Sequence, residues 1–358
     1  MKVQYIPAID GLRAVAISLV VGAHYGLDRF VPGGFGVTLF FFISGFLISR
    51  LLLQEYAQTT TVSISQFYIR RFLRLAPALI VMITIVSFVF FMLNGFVVPS
   101  EIGAGLLYFM NYYLLIEGPT QMPLGALWSL AVEEHYYLAF PALIALYGKH
   151  TKPLVLFLLS LCVAVLIWRI ILVTRLHVPM NRTYLSTDTR LDSILFGAVL
   201  GVALQTEWRN RLQAVLVNQF VVALAILLLL ISFLYRDPVF RETLRYTIQG
   251  TALLSIFYCA LVAPGFAFIR KGLECSFAIW IGKLSYAIYL WHTAVQFFVS
   301  KAIAHESLIT IDICELALSI ALAAGSYYFV EIHFQKLRAG FRRSLPAQPS
   351  GVGSTPLA

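Results

Sequence analysis

Long runs of apolar residues, broken by short polar stretches, recur from one end of the chain to the other. Many approach the roughly 20 residues that an α-helix needs to cross the hydrocarbon layer of a bilayer. The pattern therefore predicts an all-α, polytopic membrane protein with about ten transmembrane helices. The expected helices cover residues 8–27, 35–53, 75–95, 126–147, 153–173, 190–206, 214–235, 245–263, 280–300 and 308–330.

One apolar stretch, Ile102 to Ile116, is expected not to cross the membrane. It has only 15 residues, two of which are glycine, and it is followed by Gly118, Pro119 and Pro123. Because this length is too short for a complete crossing, we predict a short re-entrant or interfacial segment.

Lysine and arginine residues are distributed unevenly between the two sides of this arrangement. With the N-terminus inside and ten crossings, the cytoplasmic segments carry 15 basic and three acidic residues. The outer loops carry eight basic and nine acidic residues. An eleventh crossing at 102–116 would move several basic loops to the outside. Because cytoplasmic loops are enriched in lysine and arginine, we predict ten crossings with both termini in the cytoplasm.

The composition agrees with a multi-pass protein of the cell (inner) membrane. Of the 358 residues, 60% are hydrophobic and 12% charged, the latter about half the share usual in soluble domains. The net charge of +9 comes largely from short loops, so it indicates orientation and not nucleic-acid binding. Single, scattered cysteines predict neither a metal site nor a disulfide framework. The first apolar run has no cleavage site behind it and is expected to be the first membrane helix. We divide the chain into a membrane-embedded domain (1–335) and a basic, disordered cytoplasmic tail (336–358).

Three ionisable residues lie in the first predicted helix, where the lipid environment makes them costly. Asp10, Arg13 and His24 project from one face of that helix, with Arg13 near the inner surface and His24 about 16 Å further out. One interpretation is a functional face. The alternative is an arginine that extends to the headgroups and a histidine that is satisfied in the core.

A basic amphipathic stretch precedes the third predicted helix, at residues 64–77. Its arginines, Arg70, Arg71 and Arg74, favour a helix that lies on anionic lipid. Alternatively, Arg71 and Arg74, which are three residues apart, could grip one phosphate-bearing ligand.

Further polar residues lie in later helices. Glu133 and Glu134 point about 100° apart on a helix, so at most one of them is expected to face a given site. The alternative for either is an ion pair or an interfacial carboxylate. His292 lies among aromatic residues that could also form an interfacial belt. Arg190 and Asp192 begin a helix at the outer surface, where a local ion pair is the simplest explanation.

Five segments, in this order, resemble the acyltransferase-3 family of integral membrane acyltransferases. They are IDGLRAVAISLVVGAH, GGFGVTLFFFISGFLI, FYIRRFLRLAP, WSLAVEEHYYLAFP and LSYAIYLWH. The resemblance runs from Tyr5 to about His292. The sequence departs from the family after Glu331, where Ile332 and His333 replace a basic residue and proline, and at Ala294, where proline is common.

The resemblance implies transfer of an acyl group, commonly acetyl, from acyl-coenzyme A in the cytoplasm to a hydroxyl of an extracytoplasmic glycan, lipopolysaccharide or other envelope glycoconjugate. It implies that Arg71 and Arg74 bind the coenzyme A donor, with help from Arg13. His24, Arg13 and Glu133 are then the candidate catalytic residues. In this assignment His24 is the general base, and Glu133 orients His24 or the acceptor in the outer part of the membrane. Residues expected to support the structure or the acceptor side are Asp10, His292, Arg190 and Asp192.

Two alternatives remain open from the sequence. A helical bundle with charges inside the membrane is also typical of a transporter, which would need no acyl donor. An acyl conduit would accept the donor but pass the group to a separate extracytoplasmic transferase. In the enzyme itself, a covalent acyl-histidine is the alternative to general-base catalysis. The sequence identifies neither the acceptor, the acyl length nor the oligomeric state.

Overall fold

Residues 5–340, which the computed structural model describes, contain helices wherever the apolar pattern predicts one. The longer helices are α1 (Pro7–His24), α2 (Gly33–Thr59), α3 (Ile64–Asn94), α6 (Trp128–Tyr147), α7 (Thr151–Thr174), α9 (Thr187–Ala203), α11 (Gln219–Leu234), α13 (Leu244–Val262), α15 (Ser276–Ala302) and α16 (Leu308–Ser326). The shorter ones are α4 (Pro99–Leu106), α5 (Met110–Ile116), α8 (Met180–Leu185), α10 (Arg209–Leu216), α12 (Pro238–Glu242), α14 (Ala267–Leu273) and α17 (Ile332–Gly340). Two 3₁₀ turns, Gly125–Leu127 and Pro264–Phe266, and a π-helical turn, Tyr327–Glu331, complete the described elements.

The amphipathic stretch and the apolar run that follows it form one helix. α3 begins at Ile64, and Pro77 lies inside it. The arginine-bearing segment is therefore rigidly continuous with a membrane helix, which fixes the direction of its side chains relative to the bundle. The helix predicted at residues 75–95 was therefore too short, because the observed helix already begins at Ile64.

The short apolar stretch from Ile102 to Ile116 lies in two short helices, α4 and α5. They are separated at Leu107–Phe109, where Tyr108 has a positive φ of 54°. Each helix has at most 8 residues, far fewer than the roughly 20 that a crossing needs.

Several of the described helices satisfy the requirements for crossing a membrane. Five are long and apolar enough, and seven if each of two bent helix pairs counts as one span. The pairs are α10 with α11, bent by 63°, and α13 with α14, bent by 83°. Among the other predicted spans, α6 and α15 carry polar site residues that lower their mean hydropathy, and α9 has only 17 residues. The protein is thus a multi-pass membrane protein, and the number of ten crossings stays a prediction.

Close helix packing positions the functional residues. A Cβ added at Gly45 of α2 would lie 1.9 Å from the backbone oxygen of Ile194 in α9. In return, a Cβ at Gly197 of α9 would lie 1.9 Å from the backbone oxygen of Phe42 in α2. Small residues let membrane helices approach through van der Waals contact, because lipid tails provide little hydrophobic drive for helix association. α1 similarly approaches α15, where a Cβ at Gly282 would lie 1.9 Å from the Asp10 oxygen.

The predicted boundary between the membrane domain and the C-terminal tail lies within the last described helix. The predicted division between residues 335 and 336 falls inside α17, which continues to Gly340. The remainder of the predicted tail lies outside the described residues.

Candidate active site

A small cavity lies among α1, α2, α3, α6 and α15, and we call it the Arg71 cavity. Its volume is about 70 Å³. Its charged and hydroxyl-bearing lining residues are Arg13, Ser44, Arg71, Arg74, Ser129, Glu133, Glu134, Tyr137, Ser285, Tyr286 and Tyr289. The two arginines of the predicted clamp, together with Arg13 of α1, therefore line one cavity.

Arg71 is held firmly inside this cavity. Its guanidinium lies 3.5 Å from the centre of the Tyr137 ring. It also lies 3.9 Å from a carboxylate oxygen of Glu133 and 3.7 Å from one of Glu134. The side chain is only 11% exposed. Arg70, by contrast, forms a 3.0 Å ion pair with Glu55 and does not line the cavity, so the adjacent arginines have different surroundings.

Glu133 and Glu134 both belong to the Arg71 cavity, which corrects the expectation that only one of them faces the site. They differ by about 100° around α6, but Arg71 approaches from between them and contacts both. Glu133 also accepts hydrogen bonds from Ser44, at 3.0 Å, and Tyr137, at 2.7 Å. It does not line the cavity that contains His24. The sequence suggested that Glu133 orients His24 or the acceptor, and the described residues show no contact between Glu133 and His24.

Arg13 and Asp10 occupy different surroundings although both project from the start of α1. The Nε of Arg13 donates a hydrogen bond of 3.2 Å to Ser285 of α15. Asp10 accepts a hydrogen bond of 2.6 Å from the hydroxyl of Tyr5 and lines neither cavity. Of the three predicted residues on this face, Arg13 and His24 thus reach the two cavities, whereas Asp10 supports the helix end.

A second and larger cavity lies at the other end of α1, and we call it the His24 cavity. Its volume is about 670 Å³, within the range of sites for small organic ligands. His24 is exposed to it, and His292 of α15 also lines it. Val37 and Tyr289 line both cavities. These two side chains therefore lie between the cavities.

His24 and His292 form a pair that the sequence did not predict. Their ring centres are 4.8 Å apart and the ring planes are nearly perpendicular, at 83°. The Nδ1 of His24 lies 2.8 Å from the backbone oxygen of Val20, and the Nδ1 of His292 lies 2.6 Å from that of Tyr289. Because a carbonyl oxygen only accepts, Nδ1 carries a proton in both rings. In the neutral form of each ring, Nε2 is then the nitrogen with the free lone pair.

The burial of His292 argues against an aromatic belt at the membrane interface. Its side chain is 0% exposed, and its Nε2 has no hydrogen-bond partner within residues 5–340. Only the packing of α1 against α15 brings the two histidines together, so neither motif alone indicates the pair.

The predicted local pair of Arg190 and Asp192 is wrong. Asp192 instead forms two hydrogen bonds with Arg169 of α7, at 2.9 and 2.7 Å. Arg190 lies 3.9 Å from the ring centre of Tyr246 and donates a hydrogen bond of 3.3 Å to Thr38. Residues two positions apart on a helix point to nearly opposite sides, which explains the error.

Sequence reasoning also gave no role to Glu331. It lies in the π-helical turn after α16, is 7% exposed, and has one carboxylate oxygen without a partner among the described residues. It is within electrostatic reach of Arg74 and Arg13. The only feature of the sequence that drew attention to Glu331 was its place directly before Ile332 and His333, where the chain departs from the family pattern.

Comparisons with known proteins agree with this architecture. Residues 6–329 match the acyltransferase-3 family, described as an acyltransferase domain. The chain is 31% identical over 361 residues to an inferred O-acetyltransferase of Staphylococcus aureus (strain COL), covering 94% of this chain and 58% of the relative. It is 29% identical over 354 residues to the peptidoglycan O-acetyltransferase OatA of Listeria monocytogenes, covering 93% of this chain and 56% of the relative.

A third relative is the O-acetyltransferase OatA of Staphylococcus aureus (strain MRSA252), 29% identical over 375 residues. That match covers 99% of this chain and 61% of the relative. The chain thus spans somewhat more than half the length of these relatives. No solved structure gives a significant match to the chain. Since the family match extends over nearly all the described residues, the chain belongs to the acyltransferase-3 family of membrane acyltransferases.

Proposed function

We propose that this protein is a membrane O-acetyltransferase that uses acetyl-coenzyme A in the cytoplasm to acetylate a hydroxyl of an extracytoplasmic envelope glycan. The observation that carries the proposal is the pair of cavities at the two ends of α1. One is lined by three arginines and the other by two histidines, and they share Val37 and Tyr289. This arrangement supports a route along which an acyl group, and not a whole substrate, passes through the protein.

The donor is expected to bind at the Arg71 cavity. Coenzyme A carries several phosphate charges, and arginine forms bidentate contacts with phosphate. Glu133 and Glu134 lie close to Arg71 and position its guanidinium in the cavity, and Arg74 and Arg13 add further positive charge. Because a volume of about 70 Å³ holds no more than a few water molecules, donor entry requires this cavity to widen.

The transfer step is expected at the His24 cavity. The Nε2 of His24 removes the proton from the acceptor hydroxyl, and the oxygen attacks the carbonyl carbon of the thioester. The carbon–sulfur bond then breaks, and the leaving thiolate takes the proton from His24. The Nδ1–H bond to Val20 keeps Nε2 available for this role. In the alternative route, Nε2 itself attacks the thioester carbonyl, the carbon–sulfur bond breaks, and the leaving thiolate takes the Nδ1 proton, which leaves an acetyl-histidine. The acceptor oxygen then attacks this acetyl group, the carbon–nitrogen bond breaks, and the hydroxyl proton returns to the imidazole.

The relatives suggest where to look for the acceptor. One of them is a peptidoglycan O-acetyltransferase by name, so peptidoglycan fragments are the first acceptors to test with this chain. The proposal includes the predicted topology of ten crossings in the cytoplasmic (inner) membrane with both termini inside, because it places donor and acceptor on opposite sides.

The test is acetyl transfer across a sealed membrane. Purified protein is reconstituted into vesicles that contain labelled acetyl-coenzyme A, and soluble peptidoglycan fragments are added outside. We expect labelled, alkali-sensitive ester on the external fragments, dependent on His24. Donor consumption without external ester would favour the acyl conduit. Transport of glycan without donor consumption would favour the transporter, and either result would refute the proposal.

A further inference from the structure

The His24 cavity is strongly basic at its wall and mouth. Its charged lining residues are Asp28, Arg29, Arg236, Arg241 and Arg245. The lining thus contains four arginines and only one carboxylate. These arginines are not needed to orient the protein in the membrane, because the basic residues that set orientation accumulate on the cytoplasmic side. In the proposed topology the His24 cavity lies on the other side. The excess of positive charge therefore has a local cause.

Arg245 and Arg190 both lie close to one aromatic residue of this wall, Tyr246. The guanidinium of Arg245 is 4.9 Å from the ring centre of Tyr246, and that of Arg190 is 3.9 Å from it. Arg245 also donates a 2.9 Å hydrogen bond to the Tyr246 hydroxyl. Arg190 is completely buried and does not line the cavity itself. Its guanidinium also lies 5.3 Å from the ring centre of Tyr184, which, like Tyr246, lines the cavity.

Neither arginine is neutralised by a carboxylate. Within the described part of the chain no ion pair forms with either guanidinium, and the Nε of Arg245 and the Nε and one terminal nitrogen of Arg190 are buried without hydrogen-bond partners. Glu242, the last residue of α12 and three positions before Arg245, accepts a hydrogen bond from Thr183 instead.

Arg169 is a matched comparison in the same cluster. It is also 0% exposed and lies 5.3 Å from the Tyr246 ring centre, but it has Asp192 as a partner at 2.7 Å. A buried charge without a partner costs several kcal/mol and is seldom retained for structure alone. Arg169 thus has a carboxylate partner, whereas Arg190 and Arg245 have none among the described residues.

We propose that the His24 cavity binds an anionic group, a carboxylate or a phosphate, carried by the acceptor glycan. Arg245 contacts the anion directly, and Arg190, buried against the Tyr246 ring, adds positive charge. Recognition of the anion at this wall leaves a neighbouring sugar hydroxyl free to approach His24. The inference rests on the proposed function, because it takes the occupant of the cavity to be the acceptor.

The experiment measures saccharide binding without the donor. The full protein is placed in phosphatidylcholine nanodiscs, and binding is measured by microscale thermophoresis. The probes are a hyaluronan tetrasaccharide, which bears carboxylates, and the same tetrasaccharide with its carboxylates reduced to alcohols. We expect the acidic probe to bind at least tenfold more tightly, because charge-assisted hydrogen bonds are the stronger ones. Arg245→Gln should abolish this preference, and Arg245→Lys should restore part of it.

Arg175→Gln is the matched control, since Arg175 is an exposed arginine outside the cavity lining. It should leave the preference unchanged. Equal binding of the two probes, or a preference that survives Arg245→Gln, would overturn the inference. Loss of the preference in phosphatidylglycerol nanodiscs would assign the arginines to a lipid headgroup and would also overturn it. Acetyl transfer measured separately distinguishes the two ideas, because transfer without acid preference refutes only this inference, and acid preference without transfer refutes only the proposed function.

Discussion

Replacing His24 by asparagine is the most direct test of the chemistry. The amide nitrogen of asparagine occupies roughly the place of Nδ1, so it can still donate to the backbone oxygen of Val20, which the imidazole contacts at 2.8 Å. The basic Nε2 is lost, while the end of α1 keeps its hydrogen bond. The variant therefore tests the loss of the proposed base while the local structure at the end of α1 is kept.

The expected loss follows from the role of the base. Removing a general base typically lowers the rate about 10²–10⁴-fold. This range corresponds to about 2.7 to 5.4 kcal/mol of transition-state stabilisation, at 1.36 kcal/mol for each factor of ten. The assay is labelled ester formation in the vesicles described above, at saturating donor. Donor KM should change little, because the proposed donor site, the Arg71 cavity, lies away from His24.

Two further variants complete the design. Gln296→Ala removes a side chain that donates to the backbone oxygen of His24 at 2.5 Å and leaves the imidazole intact, so turnover should stay within a few-fold of wild type. If His24 and His292 act as one unit, His292→Asn should slow transfer, and the double variant should be hardly slower than His24→Asn alone. Near-normal turnover of a folded His24→Asn protein would refute the assignment and return His24 to a structural role.

Two other predictions address the donor side and the topology. Changing Arg71 and Arg74 together to Gln should raise donor KM at least tenfold and leave acceptor KM unchanged, because charge-assisted contacts contribute about 1.5–3 kcal/mol each. Arg70→Gln is the control, and an equal effect on protein level from all three arginines would indicate lipid anchoring instead. Cysteines placed at Lys152, in a protein without its native cysteines, should react with an impermeant maleimide only from the cytoplasmic side, and at Asp237 only from outside. External labelling at Lys152 would show that the ten-crossing topology is wrong.

The sequence by itself determined the helices and the spacing along each of them. Apolar runs of nearly membrane-spanning length have few stable alternatives to helices in lipid, because every backbone polar group must be satisfied internally. The eleven residues from Arg13 to His24 set them about 16 Å apart on one helix. That distance explains why the two residues line different cavities, and the motifs were sufficient to identify the family.

Tertiary structure alone decided which side chains meet. Periodicity gives the direction of a residue around its own helix axis but not which neighbouring helix lies there. For this reason the pairing of His24 with His292 and the contacts of both Glu133 and Glu134 with Arg71 were not predictable. The same limit explains Asp192, whose partner is on α7 and not two residues earlier in its own helix. Glycine contacts between α2 and α9 and between α1 and α15 set these neighbours, since only a missing Cβ lets the backbones come so close.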